Sequence, residues 1–200
     1  MSWQKSLLNP FLRLIEKRQM ANAKGPSSLR RAFELKAKIL FHAPRGTEME
    51  WFDLGGISAL RIGAEGLDAE KVILYCHGGG HVFGSPKMYS AMVAQLAKRV
   101  GCEAILPVYP LSPENVFPAS LNTLRAAYDD LLAQGYHSPQ IVVGGDSAGG
   151  NLVLALLAQL LQDAADLPAG VFAFSPLTDL TFSGASFQVN ADADVISHDI

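Results

Sequence analysis

The spacing of apolar positions divides the chain into two regimes. Up to residue 45 the period is helical. Leu7, Leu8, Phe11, Leu12, Leu14 and Ile15 recur on one face, while Lys5, Arg13, Lys17 and Arg18 fill much of the other. Gly25-Pro26-Ser27-Ser28 interrupts this pattern, and either serine can cap a second helix carrying Leu29, Phe33, Leu35, Ile39 and Leu40. That helix is expected to end before Ala43-Pro44-Arg45-Gly46. From Thr47 onward short apolar runs alternate with helical stretches. Thr47 to Leu54 and Ile57 to Ile62 predict a hairpin about Gly55-Gly56. Lys71 to Cys76, Glu103 to Val108, Ile141 to Val143 and Val171 to Phe174 are runs suited to strands buried on both faces. Between them lie helical patterns at Lys87 to Val100, Pro118 to Gln134 and Asn151 to Leu161, the last apolar almost all round and therefore expected to be buried on every side. Alternation of this kind predicts an α/β fold, a mostly parallel sheet with helices on both faces. The expected division is a helical segment over 1–45 and an α/β core over 46–200.

Composition narrows the class without changing that picture. The chain is 49% hydrophobic and 18% charged, as in a globular protein with a substantial core. A net charge of -3 leaves no basic footprint for nucleic acid. The two cysteines, Cys76 and Cys102, fall in apolar strands and read as small core residues in a reducing compartment. No apolar run approaches the roughly 18 residues that span a bilayer, and the N-terminus lacks signal-peptide order. Cytoplasmic placement is the expectation. The basic amphipathic face at residues 2–20 fits a membrane surface or a pair of helices covering a pocket, and the second is the reading favoured here.

The candidate chemistry sits where a strand pattern meets a helix pattern. Gly145-Asp146-Ser147-Ala148-Gly149 fits G-x-S-x-G between an apolar strand and an apolar helix. In that context the turn is tight enough to strain the serine backbone and lift its hydroxyl from the sheet edge, while Gly145 and Gly149 admit neighbouring backbone. The Ala148 amide, at the helix N-terminus, is placed to face a developing oxyanion. About seventy residues earlier, His77-Gly78-Gly79-Gly80-His81 follows the first buried strand. Acyl transfer needs two or three preorganised N–H donors, and consecutive glycines turn amides inward with no side chain in the way. A phosphate loop would need a Lys-Ser/Thr ending or G-x-G-x-x-G spacing, and neither is present. His77 and His81 as a metal pair would need a helix that three glycines will not hold. A plain flexible loop is the remaining alternative. His77 is read as ordering the loop, because it precedes the serine, whereas in the strand–turn–helix setting of this motif the base follows it.

HGGGHVFGS at 77–85 and GDSAGGN at 145–151 together resemble the bacterial branch of the hormone-sensitive lipase family of esterases, which has the α/β-hydrolase fold. YPLSPENVFPAS at 109–120 is similar to the family's Y-R-L-A-P-E-x-x-F-P-A, and SPLTDLT at 175–181 to its S-P-W-x-D-L-T. The resemblance covers nearly the whole chain, and its opening residues look like those of short-chain carboxylesterases and lactone hydrolases. It implies Ser147 as nucleophile, Gly78, Gly79, Gly80 and Ala148 as oxyanion donors, and His77, Asp146, Gly145 and Gly149 in support. It also implies a helical cap from the N-terminal segment, a small ester substrate, and no metal or cofactor. Three departures are visible. His81 stands where an aromatic is usual, which makes the acyl-pocket wall more polar. Pro110 replaces arginine and is expected to loosen its loop. Leu177 replaces tryptophan. Asp146 and Glu114 match supporting positions, with solvated surface acids as the alternative.

By the same resemblance the catalytic acid and histidine lie beyond residue 200. Asp179, Asp192, Asp194, Asp199 and His198 are the downstream candidates within the chain; Asp179 matches the structural aspartate of the family's D-L-T, and none is expected at the position of the catalytic acid or histidine. The expectation is a chain that is inactive alone, lacks its last strands, and is poorly soluble or forms a homodimer through the exposed sheet edge. The alternative is a non-catalytic module that keeps the pocket and has lost the chemistry.

Overall fold

The computed structural model describes residues 17–191 together with Pro10, Ile15, Asp194 and Ile196. Most of the expected first helix, including Leu7, Leu8, Phe11, Leu12 and Leu14, lies outside the described residues. Within them, α1 is Lys17–Ala21 and α2 is Pro26–Leu40. Ser27 and Ser28 do not cap α2. They lie inside its first turn, where the Ser28 hydroxyl donates back to the Gly25 carbonyl at 2.8 Å. The helix starts instead on Pro26, whose missing N–H costs nothing at a first helical position.

Then come β1 Thr47–Leu54, β2 Ile57–Ala64, β3 Asp68–Cys76, α3 Pro86–Val100, β4 Cys102–Pro107, α4 Ala119–Ala133, β5 Ile141–Asp146, α5 Ser147–Gln162, β6 Gly170–Phe174 and a short α6 Ala185–Val189. The strands form one sheet in the order β1-β2-β4-β3-β5-β6. β3, β4, β5 and β6 are parallel, and the β1–β2 hairpin is joined to β4 in antiparallel fashion. The described residues fall into two compact units, one running from Arg30 to Leu177 and the other made from residues before and after it.

Alternation along the strands splits the core. Val72, Leu74 and Cys76 face α4 and α5 on one side, with Leu124, Tyr128, Val153 and Leu156. Ile73 and Tyr75 face the other side, with Val93, Ala94 and Ala97 of α3. Both cysteines are buried and free. The α5 helix departs from expectation. One face is buried through Leu152, Val153, Leu156 and Leu160, but Leu154 and Leu161 are exposed. Among the described residues β6 is the edge strand of the sheet on this side.

Candidate active site

The elbow forms because β5 runs directly into α5. Asp146 ends the strand with extended backbone, and Ser147 begins the helix with φ 49°, a left-handed conformation that costs a non-glycine residue about 1–2 kcal/mol. The strain is held by close approach of backbones. In the register of the parallel pair, Cys76 lies beside Gly145, so the end of β3 and the elbow share one sheet edge. A Cβ on Gly149 would overlap the carbonyl oxygens of both Cys76 and His77, so only glycine lets the first turn of α5 rest on the start of the glycine loop. Downstream, the Leu177 amide donates to the Ser147 carbonyl at 3.0 Å and ties the segment after β6 to the same turn.

Asp146 sits at the position that would cap α5, but its carboxylate turns away from the helix. Oδ1 accepts from the Tyr75 hydroxyl at 3.0 Å and the Gly78 amide at 2.9 Å, and Oδ2 accepts from the Tyr89 hydroxyl at 3.1 Å. Burial raises the Asp146 carboxyl above its ordinary range, opposed by those three donors. Burial and the neighbouring Asp146 charge push the Tyr75 and Tyr89 hydroxyls up as well, so both remain protonated donors. The Gly78 amide is therefore committed to Asp146. This corrects the expectation that all three glycines offer their N–H groups to a substrate oxygen: Gly79 and Gly80 remain.

His77 is 2% exposed and lies stacked between Tyr109 and Tyr89, with centroids 4.4 and 5.4 Å away. Its Nδ1 is 2.8 Å from the Gly78 carbonyl oxygen, which can only accept, so Nδ1 carries the proton. The Tyr109 hydroxyl, 3.0 Å from the same nitrogen, then donates to the His77 carbonyl at 2.5 Å. Burial pushes the imidazole down to about 4, so the ring is neutral at physiological pH. The consequence for the loop is geometric. In a trans peptide the C=O and N–H point in opposite directions. Holding the Gly78 carbonyl against His77 aims the Gly79 N–H the other way. His77 thus sets one amide of the loop.

His81 is half-buried with φ 61°, and burial lowers its ring below the ordinary histidine range. Its carbonyl accepts from the Ser112 amide at 2.8 Å. The loop after Pro110 is tied rather than loose: the Ser120 hydroxyl reaches the Pro110 carbonyl at 2.7 Å, and Glu114 pairs with Arg30 at 2.7 Å. Glu114 is therefore a paired residue, and the guanidinium holds its carboxyl below the usual range.

Among the downstream acids, Asp179 is engaged locally, accepting from the amides and hydroxyls of Thr181 and Ser183, which lower its carboxyl strongly. Asp194 accepts from the Ile196 amide at 3.2 Å. Asp192, His198 and Asp199 lie outside the described residues. Among the described residues no cluster of three or more His, Cys, Asp or Glu is placed to hold a metal, and no helix is long and apolar enough to cross a membrane. Sequence reasoning missed the roles of Tyr75 and Tyr89, which hold the Asp146 carboxylate, of Tyr109, which packs on His77, and of Arg30, which holds the Val82 carbonyl.

Residues 73–199 match the family model described as alpha/beta hydrolase fold. An esterase of Acinetobacter venetianus is 31% identical over 86% of this chain and 56% of its own length. The carboxylesterase/phospholipase LipF of Mycobacterium tuberculosis is 37% identical over 76% of this chain and 42% of its own. The chain thus spans about half the length of these curated relatives. Among solved structures, an esterase from the bacterial hormone-sensitive lipase family superposes with a TM-score of 0.90 at 34% identity, covering 98% of this chain and 65% of that one. The esterase EstE5, soaked with p-nitrophenyl butyrate, superposes with a TM-score of 0.87 at 33% identity, covering 98% of this chain and 66% of that one.

Proposed function

Starting from the premise that the chain belongs to the α/β-hydrolase fold family, in its hormone-sensitive-lipase-type branch of esterases, we propose that the protein hydrolyses short-chain carboxylic esters or lactones with Ser147 as nucleophile. The observation that carries this reading is the strained Ser147 backbone at the β5–α5 junction, with α5 packed directly on the glycine loop.

In the proposed reaction the Ser147 oxygen bonds to the ester carbonyl carbon, and the carbonyl electron pair moves onto its oxygen. The amides of Gly79, Gly80 and Ala148 receive that charge, with the α5 N-terminus adding its partial positive charge. The serine proton passes to a base and then to the departing alcohol as the carbon–oxygen bond breaks, leaving an acyl-enzyme. Water repeats the sequence in reverse and releases the acid. His77 is not that base. Burial holds its imidazole down at about 4, so its free ring nitrogen is a weak proton acceptor. In this reading the acid and the histidine of the triad belong to the length by which the relatives exceed the match. The two buried free thiols fit a reducing compartment, and the reading places the protein in the cytoplasm.

Treating the full-length protein with a p-nitrophenyl alkylphosphonate and mapping the adduct by mass spectrometry tests the assignment. The expected result is one stoichiometric adduct on Ser147 and its loss in Ser147→Ala. An adduct elsewhere, or none under conditions where p-nitrophenyl butyrate is turned over, overturns it.

A further inference from the structure

We propose that Arg30 of α2, together with Phe33 one turn on, is a positioning device for the Gly79–Gly80 peptide, and so for one of the oxyanion amides. This rests on the ester hydrolase reading above and extends it to a residue outside the reacting groups.

The Gly79 carbonyl oxygen accepts two backbone amides, Val82 and Phe83, each at 3.0 Å. The only cis peptides among the described residues precede Pro113 and Pro118, so the Gly79–Gly80 link is trans. Its N–H then points opposite to its C=O. Two donors fixing the Gly79 oxygen therefore fix where the Gly80 N–H aims. Gly79 itself has φ +122°, and a Cβ there would overlap the Phe83 carbonyl, so the tight turn is open to glycine alone. Without that pair of bonds the peptide is free to rotate, and a rotated peptide would present a carbonyl oxygen, not an amide, to the developing negative charge.

The donors Val82 and Phe83 are in turn gripped by α2. Arg30 Nε donates to the Val82 carbonyl at 2.8 Å. Nη2 donates to the Ser112 carbonyl at 2.8 Å, and the guanidinium binds Glu114 in bidentate fashion at 2.7 and 3.0 Å. The Phe33 ring stacks on Phe83 with centroids 4.5 Å apart and planes at 11°. One side chain thus joins the glycine loop, the loop after β4 and the helix, with a planar fork that a single ammonium could not reproduce. The Ser112 amide closes the circuit on the His81 carbonyl. Arg30 touches neither Ser147 nor any proposed oxyanion donor, so it acts through the loop.

The test measures phosphonate inactivation of the full-length protein, separating the maximal rate constant from the half-saturating concentration. The variants are Arg30→Met, Phe33→Leu and, as a destabilised core control on α4, Leu124→Ala. An oxyanion donor acts mainly in the transition state. Arg30→Met is therefore expected to lower the maximal rate constant by about tenfold or more, with the half-saturating concentration unchanged. Phe33→Leu is expected to lower it by a smaller factor, and Leu124→Ala to leave it near the wild-type value at an equal or lower unfolding midpoint. A fall in Arg30→Met below about threefold, a fall matched by Leu124→Ala, or a change confined to the half-saturating concentration overturns the proposal. If the wild type itself is not labelled on Ser147, the ester hydrolase reading fails first, and the proposal with it.

Discussion

Asp146 Oδ1 lies 2.9 Å from the Gly78 amide nitrogen, so the residue just before the candidate nucleophile holds the glycine loop across a sequence separation of 68. The same carboxylate takes the hydroxyls of Tyr75 and Tyr89. Removing it strands three donors in a largely buried site, and each unsatisfied buried donor costs about 1–3 kcal/mol. Asp146→Ala is therefore expected to lose about 3 kcal/mol or more of unfolding free energy in urea titrations. Asp146→Asn keeps an acceptor oxygen and is expected to recover a large part of that loss. Equal losses in the two variants would show that the carboxylate's bonds are not what matters there.

His77 gives a pH signature with a definite sign. Its ordinary value of 6.5 is pushed down to about 4 by burial. A depressed histidine contributes stability that is complete above 6.5 and is lost as pH falls through the window down to about 4, because the unfolded chain takes up the proton first. The full span corresponds to about 3 kcal/mol. Asp146, raised by burial, works in the opposite sense, gaining stability as pH falls through its folded value. The His77 part is isolated by comparison with His77→Asn, which keeps a donor where Nδ1 stood. Between pH 7 and pH 4.5 the wild type is expected to lose more stability than the variant in urea unfolding. Parallel pH curves would contradict the buried neutral imidazole.

The Ser147 backbone can be separated from its hydroxyl. At φ 49° a Cβ is costly, and glycine there is free of the penalty. Ser147→Ala keeps the strain, whereas Ser147→Gly removes it. The glycine variant is expected to be more stable than the alanine variant by about 1 kcal/mol, net of the entropy that glycine gains in the unfolded chain. Both are expected to lose phosphonate labelling. A glycine variant less stable than the alanine variant would mean that the elbow carries no strain in solution.

Much of this arrangement was legible in the sequence because it follows from local pattern. The period-2 and period-3.6 runs fix the order of strands and helices, and Gly-x-Ser-x-Gly between two apolar runs has one good physical explanation. The boundaries shifted by a few residues where polar ends continue a strand, as at Asp68 to Glu70 of β3. Partners brought together by the fold were not legible. Tyr75 inside an apolar run signals that its hydroxyl needs an acceptor, but nothing local says that the acceptor is Asp146. Arg30 reads as one more cation on a basic helix, and its role appears only when α2 is placed against residues 82 and 112–114. The α5 helix misled for a related reason. An all-apolar helix needs cover on every side, and the sequence does not say whether the described chain supplies it.

That uncovered face has a measurable consequence. Leu154 and Leu161 stand 37% and 58% exposed on α5, and Phe174 is 50% exposed at the end of β6. Among the described residues β6 pairs only with β5, which leaves its other edge with open backbone donors and acceptors. An apolar helix face beside an unpaired parallel strand favours association through edge pairing and apolar contact. The 200-residue chain is expected to self-associate, with a sedimentation coefficient that rises with concentration. Lysine at 154 and 161 removes apolar contact and adds repulsion between copies, so Leu154→Lys with Leu161→Lys is expected to shift the distribution toward monomer at a modest cost to folding, because Leu161 is largely exposed and Leu154 partly so. A wild-type chain that sediments as one monomeric species at every concentration would mean that the α5 and β6 surface is tolerated in water as it stands.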